Sequence, residues 1–220
     1  MPEISINAEL KNLCPKLRLS CIHANVSVAQ SGEGLLADIK KQIEIIQQSV
    51  VIEDISKIPA IEASRKAYKA CGKDPARYRL SAEALLRRIV SGKGLYQINN
   101  VVDQLNLVSV TSGFSIGGYD ADKIQCTVSF GIGHADEPYE GIGRGALNIE
   151  NLPVFRDDLG AFGTPTSDSQ RTEVSSDTNN FLMIIIDFGS SDELELAKKI
   201  AVRLLTEYCH ATNVIEYKID

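Results

Sequence analysis

The chain has 220 residues, of which 44% are hydrophobic, 24% charged and 6% aromatic, with no tryptophan. This composition excludes disordered, collagen-like and coiled-coil proteins, and a chain of this length can bury a substantial core without disulfides or metals. The 23 basic and 29 acidic residues give a net charge of −6 at pH 7, which argues against a general nucleic-acid binder.

Cysteine and histidine usage excludes several kinds of site. The five cysteines show no Cys-x-x-Cys spacing and the three histidines lie far apart, so we expect reduced thiols, no structural metal and no cofactor. No segment contains the run of about 18 apolar residues that a membrane helix needs. The first residues show no basic region followed by an apolar stretch, the pattern of a secretory signal peptide. We therefore expect a cytoplasmic protein without a membrane partner.

Apolar periodicity predicts one strand and then four helices in the first half of the chain. Alternating residues predict a strand over 17–28, and spacings of three and four residues predict helices over the next eighty residues. The helices are predicted over 35–48, from Pro59 to Gly72, from an N-cap at Ser81 to Ser91, and from about Ile98 to Val110.

The second half of the chain is predicted to be mainly β. Alternation predicts a strand over 124–132, and the apolar run at 181–188 is typical of a strand buried on both faces. Between them, residues 133–178 are rich in Gly, Pro, Asp and Ser, with a short strand predicted at 153–156. A capping box, Ser190-Ser191-Asp192-Glu193, predicts a helix, and 213–219 predicts the last strand.

These elements predict an α+β fold, built from mixed or antiparallel β-sheet layers with packed helices. No Gly/Ser or Pro-rich linker and no internal repeat divides the chain. We therefore expect one domain spanning residues 1–220.

Two polar motifs are weak functional candidates. The run Gly141-Ile-Gly143-Arg-Gly145 departs from G-x-G-x-x-G spacing, so a turn is favoured over a phosphate loop. Asp103 falls in a predicted helix, while Asp120 and Asp122 fall in a predicted turn where Asp bonds locally. No nucleophile elbow and no evidently activated cysteine is present.

Charge is distributed unevenly along the chain. Residues 57–93 carry a net charge of +7, whereas residues 134–195 carry −10. A basic run is often only a solvated helix face, but guanidinium groups also match phosphate oxygens. The candidates for phosphate contacts are Arg65, Lys69, Arg77, Arg79 and Arg88.

Two segments resemble the editing module of the phenylalanyl-tRNA synthetase beta subunit, the B-three/B-four domain. Residues 94–124 read GLYQINNVVDQLNLVSVTSGFSIGGYDADKI, similar to the family's Ile-Asn-Asn-Val-Val-Asp motif followed by a turn with aromatic-Asp-x-Asp-Lys. Residues 172–178 read TEVSSDT, similar to its Ser-Glu-Val…Asp-Thr segment. The resemblance is strongest over residues 50–190, and the basic segment looks like that of free-standing family members.

The resemblance implies a pocket that recognises an amino acid wrongly attached to tRNA. In the family this module hydrolyses tyrosine attached to the tRNA for phenylalanine, and Glu173 stands where the family carboxylate accepts the tyrosine hydroxyl. The implied substrate-binding residues are Asn99, Asn100, Gly117, Gly118, Asp168, Arg171, Thr172, Glu173 and Thr178. Gly117 stands in place of the family histidine, which leaves the catalytic group unknown.

Three functions therefore remain open from the sequence. The first is an RNA-binding module for tRNA or aminoacyl-tRNA that acts in trans as a deacylase, a hydrolase for translation fidelity. The second is a non-catalytic domain that binds an amino-acid-like small molecule, and the third is a structural partner of a synthetase. We expect no DNA partner, and the chain has no room for a complete synthetase.

Overall fold

The computed structural model describes residues 2–190 and 193–220, and every strand and helix belongs to those ranges. The strands are β1 (Ile4–Ile6), β2 (Arg18–Asn25), β3 (Ser115–Asp120), β4 (Val128–Ile132), β5 (Glu140–Gly141), β6 (Gly145–Ala146), β7 (Pro153–Asp157), β8 (Gly160–Gly163), β9 (Asn180–Asp187) and β10 (Thr212–Ile219). The helices are α1 (Ala8–Leu13), α2 (Glu33–Ser49), α3 (Pro59–Ala70), α4 (Ser81–Val90), α5 (Asn100–Ser112) and α6 (Leu194–Cys209).

The strand β9 occupies an inner position in an antiparallel sheet of order β10-β2-β9-β3. Its residues 181–186 are all buried because both faces of the sheet are covered. Phe181, Met183 and Ile185 pack into the core shared with helices, whereas the alternate residues pack into a second core. An almost continuous apolar run is the pattern such a strand requires.

A second sheet, of order β1-β4-β7-β8, covers the other face of the first. The strand β1 runs parallel to β4, and the remaining pairs are antiparallel. Stacked aromatic rings fill the space between the sheets, with the centroids of Phe130 and Phe155 4.0 Å apart. The α+β fold with mixed and antiparallel sheets is therefore confirmed.

Helices α2, α5 and α6 contribute to the core against β2, β3 and β9. The helix α5 begins after Asn99, whose side chain accepts a hydrogen bond from the backbone N–H of Val102 at 2.9 Å, and it ends at Gly113 in the left-handed conformation. Helix α4 packs against α2 and α5, which sets its basic side chains beside the N-terminal half of α5. No helix in the described ranges has the length and apolarity needed to cross a membrane.

The long helices and the strands β2, β7, β9 and β10 confirm the predictions from periodicity. The predicted N-cap at Ser81 is wrong by one residue, since Ser81 is the first helical residue and Leu80 is the cap. The predicted strand over 124–132 is shorter, because Cys126 has φ of 62° and the ladder begins at Val128. Ser191 and Asp192 of the capping box lie outside the described residues.

Six of the described strands and helices are not predicted from the apolar periodicity, namely β1, α1, β3, β5, β6 and β8. The first two are only three and six residues long, too short for a period to be recognised. The strand β3 reads SIGGYD, and its two glycines hide any apolar alternation.

The two glycines of β3 face opposite sides of the sheet. A Cβ at Gly117 would overlap the hydroxyl of Tyr119, whereas a Cβ at Gly118 would meet Leu105 and Phe181 on the helical side. A Cβ at Gly163 on β8 would overlap the same Tyr119 hydroxyl. The side-chain space at Gly117 is therefore filled by Tyr119, which is fully buried.

We expect Gly117→Ala to destabilise the fold by about 2 kcal/mol, because the buried ring of Tyr119 must shift to admit a methyl group. The loss is measured as a lower denaturant midpoint in chemical unfolding. Gly32→Ala is the matched control, since a Cβ there meets no heavy atom within 4 Å. Equal midpoints for the two variants would contradict this packing of Tyr119.

Candidate functional site

A basic cleft of about 860 Å³ lies between α4, the segment that follows it, α5 and the β5–β6 turn. It is lined by Ile52, Arg79, Ser81, Ala84, Leu85, Arg87, Arg88, Ser91, Lys93, Tyr96, Ile98, Val102, Asn106, Ile142, Gly143, Arg144, Thr166 and Ser167. Five of these side chains are cationic and none is a carboxylate. The cleft therefore suits a polyanionic ligand.

Glu83 on α4 holds several of these arginines in place. Its carboxylate is almost fully buried and lies 2.8 Å from Arg65, 2.9 Å from Arg87 and 4.0 Å from Arg79. A buried carboxylate without an ionic partner is costly, so Glu83 keeps these guanidinium groups beside it and restricts their conformations. Arg65 is oriented by this contact and does not line the cleft.

Arg88 and Tyr96 form an exposed stacked pair at the cleft. The guanidinium carbon of Arg88 lies 3.9 Å from the centroid of the Tyr96 ring, and its Nη1 donates to the tyrosine hydroxyl at 3.3 Å. Tyr96 is 55% exposed. A planar cation on an exposed aromatic ring is a surface on which a nucleobase can stack.

A smaller inner cavity of about 210 Å³ adjoins the basic cleft. It is lined by Ser81, Leu85, Ile98, Val101, Val102, Leu105, Asn106, Ser109, Ile116, Gly118, Ile142, Asp168, Glu173, Val174 and Phe181. Six of these residues also line the cleft, so the two spaces are continuous. The inner cavity has mainly apolar walls, two carboxylates and no lysine or arginine.

Asp168 is the buried carboxylate of the inner cavity. Its Oδ2 accepts a hydrogen bond from the backbone N–H of Gly118 at 3.3 Å, while its Oδ1 is buried without a hydrogen-bond partner in the described residues. Burial raises the pKa of Asp168 to about 7, and the Gly118 N–H and the nearby Tyr119 hydroxyl offset only part of this rise. The Tyr119 hydroxyl itself is also buried without a partner of hydrogen-bond geometry in the described ranges.

Glu173 lies at the exposed side of the inner cavity. Its backbone carbonyl accepts a hydrogen bond from Lys123 Nζ at 2.8 Å, which holds the segment in place. Its side chain can therefore meet a ligand that enters the cavity.

The structure brings together three of the implied substrate-binding residues, Gly118, Asp168 and Glu173. The other six line neither space, and they are Asn99, Asn100, Gly117, Arg171, Thr172 and Thr178. Asn100 shows why, because its buried amide ties Ala29, Ser27 and the C-terminal turn of α6 together.

The remaining implied residues also bond within the protein. Arg171 forms an ion pair with Asp157 at 2.7 Å, and Thr178 donates to Asp120 at 2.9 Å. Thr172 is fully buried. These side chains hold the loops around the cavity.

Two of the five candidates for phosphate contacts, Arg79 and Arg88, line the basic cleft. Lys69 and Arg77 are exposed elsewhere on the basic segment. Sequence reasoning did not single out Arg144 or Tyr96. The Gly141–Gly145 motif forms a hairpin turn that carries Arg144 into the cleft, and its glycine pattern was the available signal.

We expect Asp168→Asn to change the pH dependence of stability. The pKa of Asp168 is about 7 in the folded protein, above the usual value for an aspartate. Above pH 7 the carboxylate is charged in the folded wild type, and its burial then lowers the free energy of unfolding by the largest amount. That cost disappears as the pH falls toward about 4, because the folded protein takes up the proton first.

Between about pH 4 and pH 7.5, the free energy of unfolding of Asp168→Asn should therefore rise relative to that of the wild type by roughly 2 kcal/mol. This figure is smaller than the full electrostatic value because Asp168 is partly exposed. Denaturant titrations across this range measure it. A difference that does not vary with pH would contradict the burial of an ionisable Asp168.

Comparisons with known proteins identify a matching family model and a solved structure with a similar fold. The family model for the B3/4 domain matches residues 63–210. A crystal structure of an N-terminal fragment of the phenylalanyl-tRNA synthetase beta subunit from Pyrococcus horikoshii has a similar fold, with a TM-score of 0.52 at 15% sequence identity. The match covers 98% of this chain and 53% of that chain, so the chain spans about half the length of that fragment. No curated protein matches the chain.

Proposed function

The chain belongs to the B3/4 domain family, and from this premise we propose that it binds the 3′ end of an aminoacyl-tRNA and hydrolyses its ester in trans. One observation carries the proposal: a cleft lined by five cations and no carboxylate continues into a small, mainly apolar cavity. An aminoacyl-tRNA end has the same order of groups, with phosphates followed by one amino acid.

The basic cleft supports the tRNA part of the proposal. Arg79, Arg87 and Arg88 present guanidinium groups, which suit phosphate oxygens better than the point charge of a lysine. The exposed Tyr96 offers a face on which an unpaired base of the tRNA end stacks. The net negative charge of the remaining chain disfavours indiscriminate binding of nucleic acids.

The inner cavity supports the aminoacyl part. Its volume of about 210 Å³ equals that of a handful of water molecules, which limits the ligand to a group the size of one amino acid. Apolar walls from Leu105, Ile116 and Phe181 take an apolar side chain. Glu173 accepts a hydrogen bond from a ligand hydroxyl at the exposed side.

The hydrolysis has a simple balance. The oxygen of a water molecule attacks the ester carbonyl carbon, and the bond from that carbon to the ribose oxygen breaks. The products are a free amino acid and a tRNA with a terminal hydroxyl. Because Gly117 supplies no imidazole, the neighbouring hydroxyl of the terminal ribose relays the proton in this proposal: it takes one from the attacking water and gives its own to the departing ribose oxygen.

We expect Arg79→Ala and Arg88→Ala each to weaken tRNA binding and to reduce the slope of log K against log salt by about 0.7 to 0.9 for each phosphate group that is no longer neutralised. Filter binding across a salt series measures both quantities. Arg203→Ala is the matched control, because Arg203 is an exposed arginine on α6 that lines a separate groove.

Equal effects of the three substitutions would contradict the assignment of the cleft to tRNA. Absence of tRNA binding at low salt would favour a domain that binds only an amino-acid-like small molecule. Lys69→Ala and Arg77→Ala extend the test to candidates outside the cleft, and we expect smaller effects there.

A panel of mischarged tRNAs tests the hydrolysis. We expect the protein to release at least one amino acid faster than the buffer does, with a change in the preferred amino acid in Glu173→Ala because the hydroxyl acceptor is gone. Release of labelled amino acid measures this. Binding without release across the panel would exclude the deacylase and leave a tRNA-binding module.

A further inference from the structure

The inner cavity contains a carboxylate, Asp168, that no lysine or arginine of the described residues neutralises. Its nearest donor beyond Gly118 is the buried Tyr119 hydroxyl, which does not reach it with full hydrogen-bond geometry. Oδ1 of Asp168 has no hydrogen-bond partner among the described residues, and Asp168 forms no ion pair with any of their lysines or arginines. We infer that Asp168 is the docking group for the α-ammonium of the aminoacyl ligand and selects a free α-amino group over an N-acylated one. This inference rests on the proposed function and names the specificity of its cavity.

The charges of the two adjoining spaces favour a cation at this position. The basic cleft contains five cations and no carboxylate, whereas the inner cavity contains Asp168 and Glu173 and no cation. An unpaired carboxylate in mainly apolar surroundings is costly. A ligand ammonium beside Asp168 supplies the missing charge and the missing donors.

The carboxylate of Asp168 is already held in position. Its Oδ2 accepts from Gly118 on β3, and its backbone forms an isolated bridge with Gly163 at the end of β8. The adjacent Ser169 is tied by its N–H to the carbonyl of Phe162 at 2.9 Å. Both sheets therefore anchor this residue, so a ligand has little conformational entropy to remove from it.

Gly118 also keeps the approach to this carboxylate open. A Cβ at this position would lie 2.5 Å from the Cδ1 methyl of Leu105 and 3.3 Å from the Phe181 ring, so a larger residue would displace these two walls of the cavity. The apolar walls of the same cavity include Val101, Leu105 and Phe181. A charged ammonium at the carboxylate and an apolar side chain against these walls match an α-amino acid with an aliphatic or aromatic side chain.

N-acylation of the ligand would remove both features that the site uses. An amide nitrogen carries no charge and has one N–H donor, and the acyl group adds bulk in a cavity of about 210 Å³. Peptidyl-tRNA and N-formylated aminoacyl-tRNA are thereby excluded as substrates, whereas aminoacyl-tRNA with a free amine is accepted.

The test compares phenylalaninamide and leucinamide with their N-acetyl forms by calorimetric titration at about pH 7.5, where a free α-amino group and Asp168 both retain much of their charge. We expect the wild type to bind at least one free amide about tenfold or more tightly than its acetylated form. In Asp168→Asn this ratio should fall to within about twofold. Asp177→Asn removes an exposed carboxylate outside the cavity and should retain the wild-type ratio.

A second arm uses the same amino acids on tRNA, free or N-acetylated, in filter binding to the wild type and to both variants. Equal binding of free and acetylated forms by the wild type, or no binding of any amide, would overturn the inference. So would a ratio that Asp168→Asn leaves unchanged while circular dichroism shows a folded protein. If Asp168→Asn does not fold, the wild-type ratio and Asp168→Ser decide in the same way.

The two arms separate this inference from the proposed function. Binding of tRNA that is indifferent to acetylation leaves the tRNA proposal standing and overturns the ammonium site. Discrimination between the free and acetylated amides without tRNA binding leaves the ammonium site standing and overturns the tRNA proposal.

Discussion

The strand β9 is the constraint on which the rest of the fold depends. It is buried on both faces, its even-numbered residues 182–186 pack against the second sheet, and the odd-numbered residues 181–185 pack against the helices. Because side chains alternate along a strand, its pairing with β3 determines which glycine of β3 faces which core. Gly118 therefore faces the inner cavity, and Gly117 faces the aromatic residues between the sheets.

The register of β3 also explains why residue 117 is a glycine. The ring of Tyr119 stands edge-on to Phe162 with centroids 5.0 Å apart, and its hydroxyl occupies the side-chain space of both Gly117 and Gly163. A larger residue at Gly117 would displace that ring. The glycine is therefore a packing requirement of this chain, and the two carboxylates of the cavity come from the loop that carries Asp168 and Glu173.

Much of the fold follows from the sequence because its long elements have clear apolar periods. The helices α2, α5 and α6 and the strand β9 are predicted near their observed bounds. Short elements such as β1 and α1 are held by pairing with distant strands, which local periodicity does not encode. Of the candidate site residues, Asp168 and Glu173 line the cavity, whereas Asn100 and Arg171 bond to groups of the protein itself, which only the folded chain reveals.

The sequence alone shows that positive charge is concentrated in residues 57–93 and negative charge in residues 134–195. It also determined the α+β class and the family resemblance. The continuation of a cationic cleft into a cavity with two carboxylates is visible only in the folded chain, because α4, α5, β3 and the 164–173 loop are distant in sequence and must meet to form it. Apolar burial brings these distant segments together, because helices and a second sheet cover the two faces of β9, and Glu83 orients two of the arginines that line the cleft.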